Sequence, residues 1–436
     1  DAVQPAASAA LPLELRVKLI GQLKAAYDEK NSGWGTAHKF VDADVIEFCL
    51  ASDDADLHRM ARATLAAATK LIDPAWGGVY QYSTDGDWDH PHFEKIMSYQ
   101  ADDMRTYARA STAFHDARFL NAAESISFFL REFLMSPDGA FYTSQDADLV
   151  QGEHAGEYFL LADADRRKLG VPRIDTHIYA RENGWAIEAL VVFNSAAAEE
   201  QLLPEAKRAA EWIITHRSIE GGGFRHGETD AAGPYLGDSL AMGRAFLALY
   251  MATTDRQWLA RAEAAAGFIE RHFAGKSAGY LTAVGAGTFP PEPQVDENVS
   301  VSRFANLLHV YTGKAAYRRT AERAMKYLAS PQVAGKRAWV VGGILLADRE
   351  LAAEPVHITI VGSKNDPEAR KLFQAALGWP TSFKRVEWYD RSEGPLPRMD
   401  VEYPALSKPA AFLCTGTTCS SPIFAVEKLI KKRDAH

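Results

Sequence analysis

Three cysteines in 436 residues are too few for disulfides to be the main source of stability. Cys49 lies in an apolar helical pattern and reads as an inert core residue, whereas Cys414 and Cys419 are close enough to pair in an oxidising compartment. No apolar run approaches the ~18 residues that a membrane span requires. Lys and Arg are scattered, with a net charge of −9, so no nucleic-acid groove is expected. The chain contains no P-loop, serine-nucleophile elbow, H-E-x-x-H or dinucleotide fingerprint. Val361-Gly362-Ser363 falls short of a G-x-G-x-x-G. No organic cofactor and no resident metal are therefore expected.

What the chain does have is repetition. Six times a helical stretch runs into a glycine-plus-aromatic signal: Gly33-Trp34-Gly35, Gly77 to Tyr80, Gly139 to Tyr142, Gly221 to Phe224, Ala278-Gly279-Tyr280 and Trp339 to Gly343. The spacing, roughly 40–80 residues, exceeds that of most solenoid repeats. Apolar residues recur at three- and four-residue intervals in stretches such as Leu57–Leu71 and Trp258–Phe273. The stretches preceding them, such as Trp185–Phe193 and Leu240–Tyr250, are apolar around most of their circumference. This contrast predicts buried inner helices and half-exposed outer ones. Short polar links (Ser52-Asp53-Asp54, Thr253-Thr254-Asp255, Thr312-Gly313-Lys314) alternate with long, motif-rich ones. The expected fold is a mainly α (α/α)6 toroid of helical hairpins over residues 12–350, with its long links at one end. Residues 1–11 read as a linker. Residues 351–436 read as a small α/β subdomain, from strand-like runs at 356–362, 385–389 and 411–414 and helices between and after them.

The chemistry-bearing residues lie in the long links. Trp88-Asp89-His90-Pro91-His92-Phe93-Glu94-Lys95 puts two imidazoles, two carboxylates and an indole in eight residues. Such groups exchange protons near neutral pH, or else cap the following helix. Gln145-Asp146-Ala147-Asp148 offers paired carboxylates for acid and base work, calcium ligands, or simple caps for loop amides. His38, Lys39, His154, His177, Asn183, His226, Asp238 and Glu297 add further polar groups. If one ring end gathers them, it forms a concave pocket with convergent polar groups, the usual setting for a small-molecule site.

Three segments carry a resemblance: Gly33 to Phe40 (GWGTAHKF), Trp88 to Lys95 (WDHPHFEK) and Phe141 to Asp148 (FYTSQDAD). With the Cys-x4-Cys-Ser-Ser-Pro near the end, they resemble the spermatogenesis-associated, thioredoxin-domain-containing proteins. That family joins a thioredoxin-like domain to a six-hairpin toroid similar to N-acylglucosamine 2-epimerases and six-hairpin glycosidases. The thioredoxin-like domain is absent from this sequence, so its redox chemistry is not expected here. Two motifs depart from the family pattern. Ser98-Tyr99-Gln100 stands where Tyr-Asp-Asn is usual, and Arg181-Glu182-Asn183-Gly184 where Ser-Trp-Asn-Gly is usual.

The resemblance implies a carbohydrate-active toroid. For epimerase- or isomerase-type proton transfer, the expected base is His92, with His38 or His90 as its partner and Glu94 orienting the imidazole. For glycoside hydrolysis, Asp146 or Asp148 would act opposite Asp89 or Glu297. Trp34, Trp88 and Tyr142 are expected to stack on the sugar, with Lys39, Asp89, Gln145, Asn183, Asp238 and Glu297 binding it. The alternative is a degenerate sugar- or protein-binding scaffold that works with a thioredoxin-like domain or partner. An Ala-rich start without Met and the Cys414/Cys419 pair lean slightly towards an exported protein, although trimming of a longer intracellular protein would give the same start.

Overall fold

The computed structural model describes residues 3–434 apart from 154, 200, 277, 286, 288 and 289. The expected His154 therefore lies outside the described residues. Two concentric helix layers make up most of the chain. The inner layer consists of α2 (Ala43–Ala51), α4 (Met97–Phe114), α8 (Ala180–Ala197), α10 (Leu236–Thr253), α12 (Val295–Thr312) and α14 (Gly342–Ala352). Each inner helix packs on the next, and α14 returns to α2, closing a ring of six. The outer layer is α3 (Ala55–Ala68), α5 (Ala117–Phe129), α9 (Leu202–Arg217), α11 (Arg256–Phe273) and α13 (Ala315–Leu328). The sixth outer helix comes from the other end of the chain. Helix α1 (Leu13–Ala25) is tied to α14 through Asp348, which accepts from the Leu11 amide at 2.8 Å and the Arg16 guanidinium at 2.7 Å. The fold is an (α/α)6 toroid.

Local sequence explains the turns. Asp54, Asp116 and Asp255 cap the outer helices α3, α5 and α11 by accepting their first free amides. His115, Ala198, Thr254 and Gly313 end four of the six inner helices, α4, α8, α10 and α12, in the left-handed conformation that halts an α-helix. Four of the six glycine-aromatic repeats share one device. The fourth residue of an inner helix reaches back and bonds the backbone of a residue one or two positions after the glycine. Gln100 accepts from the Val79 amide at 2.8 Å and donates to its carbonyl at 2.6 Å. Asn183 does the same to Phe141 (2.7 and 2.9 Å), and Asn298 to Tyr280 (2.7 and 3.0 Å). Ser239 accepts from the Phe224 amide at 3.2 Å. Glycine is needed where the strap presses on the hairpin: Gly78 has φ +74°, and a Cβ there would sit 2.6 Å from the Phe129 ring.

Between the second and third inner helices of the chain order, the long link carries two short helices, α6 (Gly156–Phe159) and α7 (Asp163–Leu169). Arg166 of α7 is fully buried and donates to Asp73 at 2.6 Å, while Lys95 donates to the same carboxylate at 2.7 Å and to the Gly77 carbonyl at 2.7 Å. A buried charge is tolerated only when it is paired and hydrogen-bonded in this way. Burial, reinforced by Arg166 and opposed by Asp73, brings the Lys95 amine down to about 8.

The remainder is a four-stranded sheet in the order Lys384–Tyr389, Val356–Val361, Ala410–Thr415, Thr418–Cys419. The first pair is parallel, in the register Val356 to Lys384, and is joined by α15 (Pro367–Leu377). The other pairings are antiparallel. Cys414 and Cys419 form a disulfide across the terminal hairpin, and Cys49 is a buried free thiol. Helix α16 (Val426–Arg433) closes the chain against α15.

Candidate functional site

Every inner helix begins at the same end of the ring, where the long links collect. A cavity of about 420 Å³ opens there, lined by the first turns of all six inner helices. Helix starts carry partial positive charge, so this mouth favours acidic side chains and electron-rich ligands. Asp42, Asp44, Asp102, Asp296 and Glu297 line it, interleaved with Arg105, Arg181, Arg244 and Arg337. Phe40, Tyr99 and Trp185 supply partly exposed rings. The Arg181 guanidinium lies 4.9 Å from the Trp185 ring centre and pairs with Glu182 at 2.9 Å.

The floor of the cavity is a chain of ion pairs across the ring axis. Arg244 and Arg105 reach Glu188 at 2.9 and 3.3 Å. Arg303 joins Asp44, Glu47 and Glu350 at 3.1, 2.6 and 2.9 Å, and Arg109 meets Glu47 at 2.9 Å. Burial alone would raise Glu188, but Arg244 and Arg105 outweigh it and hold the carboxyl at about 2. Glu47 is likewise held well below the carboxylate range by Arg109 and Arg303. Glu188 and Glu47 are thus structural partners of these arginines.

Two carboxyls of the cavity differ. Burial raises Glu297 to about 7, only partly opposed by the Thr282 hydroxyl and Arg181. One of its oxygens, Oε2, has no hydrogen-bond partner among the described residues. Burial and the neighbouring Asp44 charge raise Asp42 to about 7 as well, although it caps α2 by accepting from the Val45 amide at 2.9 Å. Both keep some exposure to the cavity while lying beneath its rim. A carboxyl that titrates near neutrality is suited to giving and taking protons.

Of the residues given a catalytic or sugar-binding role from the sequence, Glu297 alone is among the described residues that line this cavity. The indoles expected to stack on sugar are packing elements. Trp34 is buried and donates to the Leu23 carbonyl at 2.9 Å, and Trp88 is buried and donates to Asn31 and Ser32 at 2.7 and 2.9 Å. Tyr142 packs against the core. Lys39 is enclosed and paired with Asp28 at 2.9 Å, while Asp89 is at the surface with Lys70 at 2.7 Å. Asn183 is the strap clamp described above, and Gln145 is buried in a short three-stranded ribbon with Lys95 and Ile174 opposite it. Asp238 is buried, accepting from the Arg181 amide and meeting the His226 ring, both at 2.9 Å.

The proposed bases are also elsewhere. His38 and His92 flank Tyr82, with ring centres 4.9 and 5.0 Å from it, and Glu94 sits 3.6 Å from His92. The structure thus gathers His38, His92 and Glu94 on a two-stranded ribbon outside the cavity lining. His90 is exposed and bonded to Asp87 at 2.9 Å, which raises its pKa. Asp146 and Asp148 accept from the amides of Asp148 and Gly152 at 3.2 and 2.9 Å. They are the turn-capping alternative, with Arg173 3.7 Å from Asp146. None of these motif residues is among the described residues that line the cavity.

The lining that sequence reasoning missed is Asp42, Asp44, Asp102, Arg105, Trp185, Arg244 and Arg337, whereas Tyr99 and Arg181 were noted only as departures from the family pattern. A usable signal was present: charges inside otherwise apolar helices, such as Glu188 in WAIEALVVF and Arg244 in LAMGRAFLALY. Charges are rarely fully buried unless paired, so each implied a partner on the ring axis.

Comparison with known proteins agrees with this architecture. No protein-family model matches the chain. Over an alignment of 137 positions that covers 29% of this chain, the sequence is 31% identical to human spermatogenesis-associated protein 20, of which it covers 17%. The mouse protein matches over the same extent at 31% identity. The match thus spans less than a fifth of these relatives' length. Among solved structures, a sugar epimerase from a ruminal bacterium superimposes with a TM-score of 0.57 at 13% identity, over 72% of this chain and 85% of that one. A D-mannose isomerase gives 0.57 at 12% identity, over 78% and 98%. In sequence the chain resembles the spermatogenesis-associated, thioredoxin-domain-containing proteins, and in fold it is a six-hairpin toroid of the kind found in sugar epimerases and isomerases.

Proposed function

We propose that the chain is a carbohydrate-active enzyme whose chemistry takes place in the cavity at the helix-start end of the ring. Glu297 and Asp42 are its proton-transferring carboxyls, and Tyr99 and Trp185 are the platforms for a sugar ring. The observation that carries the reading is the combination found in that one hollow: room for a sugar, aromatic faces, and two carboxyls brought to about 7 by burial. No histidine lines the cavity among the described residues. A carboxyl pair therefore favours cleavage of a glycosidic bond, with one group protonating the leaving oxygen and the other activating water or attacking carbon. The epimerase-type route with His92 as base is the less favoured one in this cavity, because His92 is not among the described residues that line it.

The test is turnover of mono- and oligosaccharides, followed by product analysis, for the wild type, Glu297→Gln and Asp42→Asn. Loss of at least ~10²-fold in kcat with an unchanged fold is expected. Full activity of a folded Glu297→Gln variant would overturn the assignment. Binding without turnover is the second reading, and it rests on Arg181, which replaces a smaller family residue and covers the Trp185 ring. On that reading sugars, or a thioredoxin-like partner, bind with no product formed. The comparison of bound and converted sugar separates the two.

A further inference from the structure

At the opposite end of the ring, where the inner helices finish, the loop from Leu377 to Lys384 covers the axis. Beneath it lies a second cavity of about 100 Å³. On a measure by which ~10–15 Å³ holds one water, it has room for several non-hydrogen atoms. Its walls are largely apolar, contributed by Val191, Leu247, Met251, Phe304, Leu307 and Phe383. The ion-pair floor described above separates it from the sugar-sized cavity, although Arg244 contributes to both linings.

The charges in this cavity do not balance. Arg109 has Glu47, Arg244 has Glu188 and Arg303 has Glu350. Lys384 is the fourth cation, and it is buried. Its Nζ donates to the carbonyls of Leu377 and Trp379, the latter at 2.7 Å, and no carboxylate among the described residues pairs with it. Backbone carbonyls hold the amine in place without neutralising it. A buried cation without a counter-charge is costly, and an anion beside it would remove that cost.

We propose that this cavity is a binding site for a short-chain aliphatic carboxylate, its alkyl chain among the apolar walls and its carboxylate on Lys384. Burial and the nearby Arg109 and Arg433 charges bring the Lys384 amine down to about 7, the direction expected of a site that lacks its negative partner. Thr112, Met251 and Thr381 at the rim remain partly exposed, which leaves a small molecule a way in. The site is distinct from the proposed sugar cavity and does not depend on it.

Isothermal titration calorimetry of the full chain with pentanoate and with pentan-1-ol tests the proposal. The two probes share an alkyl body and differ in charge. Pentanoate should bind at least ~10-fold more tightly than the alcohol, because only it makes a charge-assisted pair. In Lys384→Met the preference should vanish while alcohol binding persists. Met251→Trp, which leaves the amine intact and narrows the rim, should weaken both probes. Equal affinities in the wild type, or no pentanoate binding at all, would overturn the proposal. So would an unchanged preference in a folded Lys384→Met variant. Should that variant not fold, pentanoate binding unaffected by Met251→Trp would overturn it equally.

Discussion

The long links and the first turns of the inner helices lie at the same end of the ring, yet they do different work. The links hold the recognisable motifs. Their side chains are spent on architecture: Lys95 on Asp73, Trp88 on two carbonyls, Asp146 and Asp148 on loop amides. The inner-helix starts carry only the altered Ser98-Tyr99-Gln100 and Arg181 to Gly184 motifs, yet they supply the acids, arginines and rings of the cavity. Recognisability in the chain therefore tracks the straps that hold the ring together, and chemistry tracks the helices that the straps align. This division can be broken by experiment.

The largest effect on stability is expected from the links. Lys95→Met leaves Asp73 and Arg166 buried without their third partner. Removing one member of a buried ion network costs ~3–5 kcal/mol. Chemical denaturation should show this loss. A change below ~1 kcal/mol would mean that the motif lysine is not the anchor argued here.

The cavity should answer differently, through pH. The folded-state pKa of Glu297 is raised to about 7, while the unfolded carboxyl titrates near 4.3. Between these values the unfolded chain is ionised at this position and the folded chain is not. Stability from this group is complete below the lower value and is lost as pH rises through the upper one. Glu297→Gln should remove that loss, making the variant less pH-dependent than the wild type between pH 4 and 7 by ~1–3 kcal/mol. Denaturation midpoints at several pH values measure it. Parallel curves for the two proteins would place Glu297 in a solvated setting and undo its role as proton donor.

Next in size is the clamp. Asn183→Ala leaves the amide and carbonyl of buried Phe141 unpaired, at ~1–3 kcal/mol. Asn298→Ala should behave alike at Tyr280, because the geometry is the same. Hydrogen exchange at the two clamped amides would show the protection lost. Sugar binding in the cavity should not change, since neither residue lines it.

How much of this was readable in the sequence follows from the range of the forces involved. Helix periodicity and capping are local, and so the alternation of inner and outer helices and its closure into a toroid were legible. The glycine-aromatic repeat was legible as a repeat, but its cause was not. The clamp joins residues such as Phe141 and Asn183, 42 positions apart, and a lone Asn at the fourth position of a helix carries no mark of its partner. The site was read least well. Its lining comes from the starts of six separate helices, five of them giving one or two ordinary charged residues, whereas Trp88 to Lys95 concentrates His90 and His92 in a short span. Density along the chain drew attention to residues that space keeps off the axis. The sixth outer helix was out of reach for the same reason, since α1 and α14 lie at opposite ends of the chain.

The smallest expected effect discriminates best between the two regions. His92 is the residue that the motif most strongly advertises, yet it rests on Tyr82, partly exposed, beside Glu94 and outside the cavity. Surface substitutions of this kind usually move stability by no more than ~0.5 kcal/mol. On whatever sugar the wild type converts, His92→Ala should keep kcat within about twofold, because the group neither touches the cavity nor anchors a strap. A loss approaching the ~10²-fold expected of a missing proton-transfer group would reverse the comparison. The ribbon of His38, Tyr82, His92 and Glu94 would then be the reaction centre. The hollow on the axis, with its raised carboxyls, would be left with binding alone.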